Sequence, residues 1–191
     1  LIADLLFGVQ IVGAVVFCGA YIMRSIADVT GSSIAQFGLV VAFLSFNLAL
    51  GISVHRAVPS RVTRQGIATY ITWIILVIGL MLAVVMNPSY HWNEKDTTTA
   101  VTGIVLTLVV VAIGVQQRLP ANDPMMKGCF AIAYKAVPQV LLAWKFLAEG
   151  ASGTPGLSVV IGHLTILVRI GQIRFMVREA GWNRPLRWLM A

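Results

Sequence analysis

The chain alternates between long apolar runs and short polar gaps, and several of the runs have no polar face. TWIILVIGLMLAVVM, residues 72–86, and the aliphatic run from about Thr99 to Val115 lack the polar stripe, at a period of 3.6, that an amphipathic soluble helix shows. Crossing about 30 Å of hydrocarbon takes about 20 mainly apolar residues. Six runs reach or approach that length: about Ala3 to Met23, Ile34 to Val54, Gly66 to Met86, Thr99 to Val115, Met126 to Leu147 and Leu157 to Val177. The alternating segments of about ten residues that build a membrane β-barrel are absent. The pattern predicts an all-α membrane protein with six transmembrane helices in the residues given.

The polar gaps orient these spans. HRAVPSRVTRQ, with Arg56, Arg61 and Arg64, separates the second run from the third, and QQRLPANDPMMK, with Arg118 and Lys127, separates the fourth from the fifth. Short basic loops stay cytoplasmic. NPSYHWNEKD, between the third and fourth runs, holds Glu94, Lys95 and Asp96 as loop charges, with Tyr90 and Trp92 as interfacial anchors, and is expected on the opposite side. Arg178, Arg184 and Arg187 follow the sixth run. The charges give a cytoplasmic amino terminus, in what is expected to be a bacterial inner or plasma membrane. The tail GWNRPLRWLMA reads as an interfacial helix or as the lead-in to a seventh span beyond Ala191.

Composition narrows the class further. With 58% hydrophobic and 11% charged residues and a mean hydropathy of +0.86, the chain carries about half the charge of a soluble domain and is too apolar to be disordered. The net charge of +7 is spread over the gaps rather than gathered in a basic, aromatic-interleaved module, so nucleic acid is not an expected partner. Cys18 and Cys129 lie inside apolar runs without metal-ligand spacing and read as packed thiols. The first run is long enough to span and lacks a cleavage site, which reads against a signal peptide. No HExxH, phosphate loop, GxSxG or paired carboxylate occurs, so no enzyme activity and no cofactor is expected. His91, Glu94 and Asp96 fall close together, with a spacing that does not define a metal site.

Polar residues within the runs are unevenly distributed. The third and fourth are bland, whereas the fifth and sixth hold Lys135, Gln139, His163, Arg169 and Gln172. Pro138 withdraws a backbone donor in mid-span and kinks the helix, and Gln139 beside it offers a donor and an acceptor. Lys135, His163 and Arg169 have no acid at matching depth; charges there are costly unless paired or facing water. They therefore call for an anion, a water-filled cavity or a partner's acid, or else reach out along the bilayer or bond to backbone carbonyls. Asn47, Gln10, Thr72 and Trp73 either line a cavity or cross-link neighbouring helices.

Ala136-Val137-Pro138-Gln139, followed by Ser152-Gly153-Thr154-Pro155-Gly156-Leu157-Ser158, resembles the PQ-loop family, which includes the SWEET sugar transporters and cystinosin-like carriers. The resemblance covers Tyr134 to Gln172. A fainter copy, Ala14-Val15-Val16 with Thr30-Gly31-Ser32, has the same spacing, with Val16-Phe17 where Pro-Gln would stand, and at that offset Asn47 corresponds to Arg169. The resemblance implies two three-helix units in tandem with a linker helix: residues 1–86, 98–117 and 126–191. It also implies a substrate site near the midplane between the units.

Taken together, these features point to a transporter that moves a small polar or anionic solute by alternating access. Pro138 is its hinge, Gln139 and Asn47 its hydrogen-bonding groups, and Lys135 and Arg169 its charge partners. The alternative is a non-transporting subunit of a larger membrane complex. Expected partners are membrane lipids, the solute, and a membrane protein or a second copy of the chain.

Overall fold

The protein is described by a computed structural model covering residues 2–119, 123–150, 152 and 154–182. Its elements are α1 (Ile2–Ala27), α2 (Ile34–Ala57), α3 (Arg61–Val85), α4 (Glu94–Gln116), α5 (Pro124–Ala131), a π-helical turn (Ile132–Ala136), α6 (Val137–Glu149) and α7 (Gly156–Ala180). Five of these, α1, α2, α3, α4 and α7, are long and apolar enough to cross a membrane. Large aliphatic side chains such as Ile75, Leu82, Ile104, Leu108 and Leu167 stand exposed on their outer faces, where only a lipid solvent makes them stable. The chain is an integral membrane protein.

The expected fifth span is also helical, but it is not one regular α-helix. From Pro124 to Glu149 it passes through α5, the π-helical turn and α6. The amide of Val137 bonds to the carbonyl of Ile132 across the wide turn, immediately before Pro138, which has no amide hydrogen to offer.

The helices begin earlier than hydropathy alone indicates, because caps start them. Ser60 accepts from the amide of Thr63, and Thr63 reciprocates towards the amide of Ser60, so α3 opens at Arg61 and not near Gly66. Arg61 and Arg64 are therefore helical residues, not loop residues. Asn93 accepts from the amides of Lys95 and Asp96, which starts α4 at Glu94 and sets acids against its positive end. Glu94, Lys95 and Asp96 likewise belong to a helix and not to the loop. Pro124, pre-set for the first helical position, brings Lys127 into α5 in the same way.

In the packing, α3 lies between α1 and α2, while α7 runs along α1 and the α5–α6 stretch rests on α2 and α4. Small residues let α1 and α7 approach: a Cβ built on Gly13 would stand 2.6 Å from Cγ2 of Thr165. Polar groups stitch the same seam, with Ser158 Oγ donating to the carbonyl of Phe17 at 3.0 Å and the Gln10 amide donating to the carbonyl of Thr165. Gln10 also accepts from Trp73 Nε1 of α3 at 3.4 Å, so it cross-links three helices instead of facing a cavity.

Each end of the bundle carries its own lacing. At one end Asn87 donates to the carbonyl of Ser25 at 2.6 Å, Arg24 Nε donates to the carbonyl of Ser152 at 2.7 Å, and Tyr21 and Thr154 share a hydrogen bond of 3.0 Å. At the other, Asp4 accepts from Gln65 at 2.7 Å and pairs with Arg61 at 3.0 Å.

Candidate functional site

Two buried polar clusters stand out, and only one is fully occupied by its own partners. The first lies where α1 hands over to α2 and α3 to α4. Asp96 is 0% exposed. Ser33 Oγ donates to its Oδ1 at 2.5 Å and Tyr90 Oη to its Oδ2 at 3.0 Å. Ser33 is also the N-cap of α2, so one carboxylate ties the start of α4 to the start of α2. Burial pushes the Tyr90 phenol above its ordinary pKa, and the adjacent carboxylate adds to that. Asp96 is thus no solvated charge, contrary to its reading as part of a polar loop. Beside it a shallow pocket is lined by Asp28, Thr30, Ser32, Tyr90, His91 and Asn93. The Asp28 carboxyl is lowered to about 2, first by a hydrogen bond from Ser152, then by Thr30 and by the charge of Arg24. Among the described residues no group of three or more His, Cys, Asp or Glu is arranged to hold a metal.

The second cluster lies between α2, α3, α5 and α7. Asn47, 3% exposed, donates to the carbonyl of Phe43 one turn back in α2 at 2.8 Å. The same face of α2 carries Phe43, over whose ring Lys135 Nζ sits at 5.5 Å, and Gly51, against which Tyr70 packs. Residues 43, 47 and 51 are successive i, i+4 neighbours, so Lys135, Asn47 and Tyr70 meet one stripe of α2. Arg169 completes the set from α7, with its guanidinium carbon 4.3 Å from the centre of the Tyr70 ring.

The guanidinium is held in place by its surroundings. Nη1 donates to Gln172 Oε1 at 2.8 Å, and Gln172 is 4% exposed. Nε and Nη2 are buried and have no hydrogen-bond partner among the described residues. Lys127, 3% exposed, approaches from α5 closely enough that the two positive charges act on each other. The ion pairs Arg24–Asp28 and Arg61–Asp4 lie at helix ends and involve neither of them.

Three of the five sequence candidates, Asn47, Lys135 and Arg169, are thus strung along about two turns of α2, Lys135 at Phe43 and Arg169 reaching it through Tyr70 at Gly51. Gln139 does not join them: it is exposed on α6 and makes no hydrogen bond to a described residue. Pro138 follows the π-helical turn, but its side chain lies outside the described residues. His163 is exposed and bonds at 2.7 Å to the carbonyl of Val159 in its own helix. Lys127 and Tyr70 are the additions. The helix-start signal of Pro124 is what places Lys127 inside a helix, whereas nothing in the local sequence of α3 distinguishes Tyr70 from any interfacial aromatic. No family model matches the chain, and no curated protein or solved structure is significantly similar to it.

Proposed function

We propose that the protein is a membrane transporter that moves a small polar or anionic solute by alternating access, with its site at the Asn47–Lys135–Arg169 cluster. The carrying observation is the half-buried Arg169, whose Nε and Nη2 are enclosed and have no partner among the described residues. An unpaired buried cation is expensive, and in a membrane it marks a path or site for something that supplies the missing partner.

The arrangement of helices supports the reading. In it the α5–α6 stretch is a sixth span, interrupted as the helices that form midplane sites in transporters are. α1 pairs with α7 while α2 pairs with the α5–α6 stretch. Such cross-pairing is what two parallel repeats related by an axis along the membrane normal produce, with α1 equivalent to α5–α6, α2 to α7, and α4 as the linker. Asn47 and Arg169, equivalent at the sequence offset, then face the same interior from opposite repeats. This is the tandem organisation of the PQ-loop and SWEET-like class. The basic residues at the α2–α3 and α4–α5 turns put that end, with the amino terminus, in the cytoplasm.

The test is uptake into liposomes, with a panel of sugars, nucleosides and organic anions. Uptake of at least one solute that drops on Arg169→Gln is expected. No uptake across the panel, together with stoichiometric co-purification of another membrane protein, would favour a non-transporting subunit instead.

A further inference from the structure

The free edge of Arg169 narrows the solute class. A guanidinium has two edges and two faces. Here one face is stacked on Tyr70 and Nη1 is anchored by Gln172, which leaves the side-on edge formed by Nε and Nη2 unpaired among the described residues. That edge is a planar two-pronged fork matching two oxygens of a carboxylate or phosphate. The vicinal hydroxyls of a neutral solute can also accept from the fork, but they bring no negative charge and would leave the positive charges of Arg169 and Lys127 uncompensated. Lys127, itself 3% exposed, adds a second cation. Gly66 faces the fork: an added Cβ there would stand 3.6 Å from Nη2 and 3.2 Å from Met176 Cε.

We infer that the Nε–Nη2 edge of Arg169, faced by Gly66 and supported by the charge of Lys127, is a binding site for an oxyanion, a carboxylate or phosphate group carried by the solute or by a lipid headgroup. This rests on the transport reading for its biological meaning but not for its chemistry. Arg169 binds bidentately, Lys127 supplies a point charge, and Asn47 and Lys135 lie further along the α2 stripe, where the rest of a larger solute would reach.

The test uses the whole chain in a neutral, phosphate-free detergent and measures the thermal shift produced by inorganic phosphate, by succinate and by glucose. Phosphatidylcholine nanodiscs with and without phosphatidylglycerol form a second arm. At least one of phosphate, succinate or phosphatidylglycerol is expected to stabilise the parent, and glucose is not. Response to the soluble anions identifies a solute, and response to phosphatidylglycerol alone identifies a headgroup. Arg169→Gln should weaken the effective anion by about 30-fold or more, and Arg169→Lys by about tenfold, because a point charge cannot replace the fork. Gly66→Val should block the site with both cations retained, which keeps the inference testable if Arg169→Gln fails to fold. No shift from any anion, or unchanged affinity in both Arg169→Lys and Gly66→Val, would overturn it. Glucose uptake with no anion effect overturns this inference and leaves transport standing; anion binding without uptake of any solute does the reverse.

Discussion

Asp96 is fully buried and Arg169 half-buried with its Nε and Nη2 enclosed, and the two charges are accommodated in opposite ways. Asp96 closes on itself: both oxygens are taken by hydroxyls that also cap and anchor neighbouring helices. Arg169 is held by Tyr70 and Gln172, yet two of its nitrogens are unpaired among the described residues. A buried charge with every partner present is part of the scaffold. One fixed in place with an edge left unpaired carries a desolvation cost that its own neighbours do not offset, and this is what the proposed anion site would relieve.

The largest effect that separates the two should come from Asp96→Ala. It strands Ser33 and Tyr90 in a buried site and is expected to destabilise the protein by about 3–5 kcal/mol, measured by denaturant or thermal unfolding in detergent. Arg169→Met should behave oppositely, leaving stability unchanged or raising it by about 1–2 kcal/mol while abolishing anion binding. Equal destabilisation by both substitutions would erase the distinction.

Tyr21→Phe tests the lacing at the Asp96 end. Losing its hydrogen bond with Thr154 should lower stability by about 1 kcal/mol with the Arg169 site intact. Asp28→Asn should have the smallest effect. Its carboxyl is lowered from 3.8 to about 2 in the fold, so its contribution is present above 3.8 and fades as pH falls towards 2. The variant should therefore melt slightly below the parent at pH 7 and together with it near pH 2.

What the amino-acid sequence discloses about this molecule follows the physics of each feature. The five spans are legible because lipid requires apolar residues at every azimuth, a pattern that needs no tertiary information. Their ends are less legible, since Ser60 and Asn93 begin helices through hydrogen bonds that hydropathy does not register. Asn47, Lys135 and Arg169 are visible as polar residues in apolar runs. Whether such a residue meets its neighbours depends on helical phase, and that is why Gln139, equally polar and in the same stretch as Lys135, is exposed. The burial of Asp96 is illegible for a different reason: its partner Ser33 lies 63 residues away, and only folding makes them neighbours.

The π-helical turn before Pro138 acts as a phase corrector. In an unbroken α-helix, eight residues at 3.6 per turn would leave Lys135 about 80° away from Lys127 around the axis. The turn takes up one extra residue, so the interval behaves as a heptad and the offset shrinks to about 20°. Two lysines that regular geometry would send to different faces are thereby drawn onto one. Deleting a single residue from Ile132–Ala136 would shorten the helical stretch by only about 1.5 Å, yet it would regularise the helix and rotate Val137–Glu149 relative to α5. In this segment an indel acts on the azimuth of its charges more than on its length.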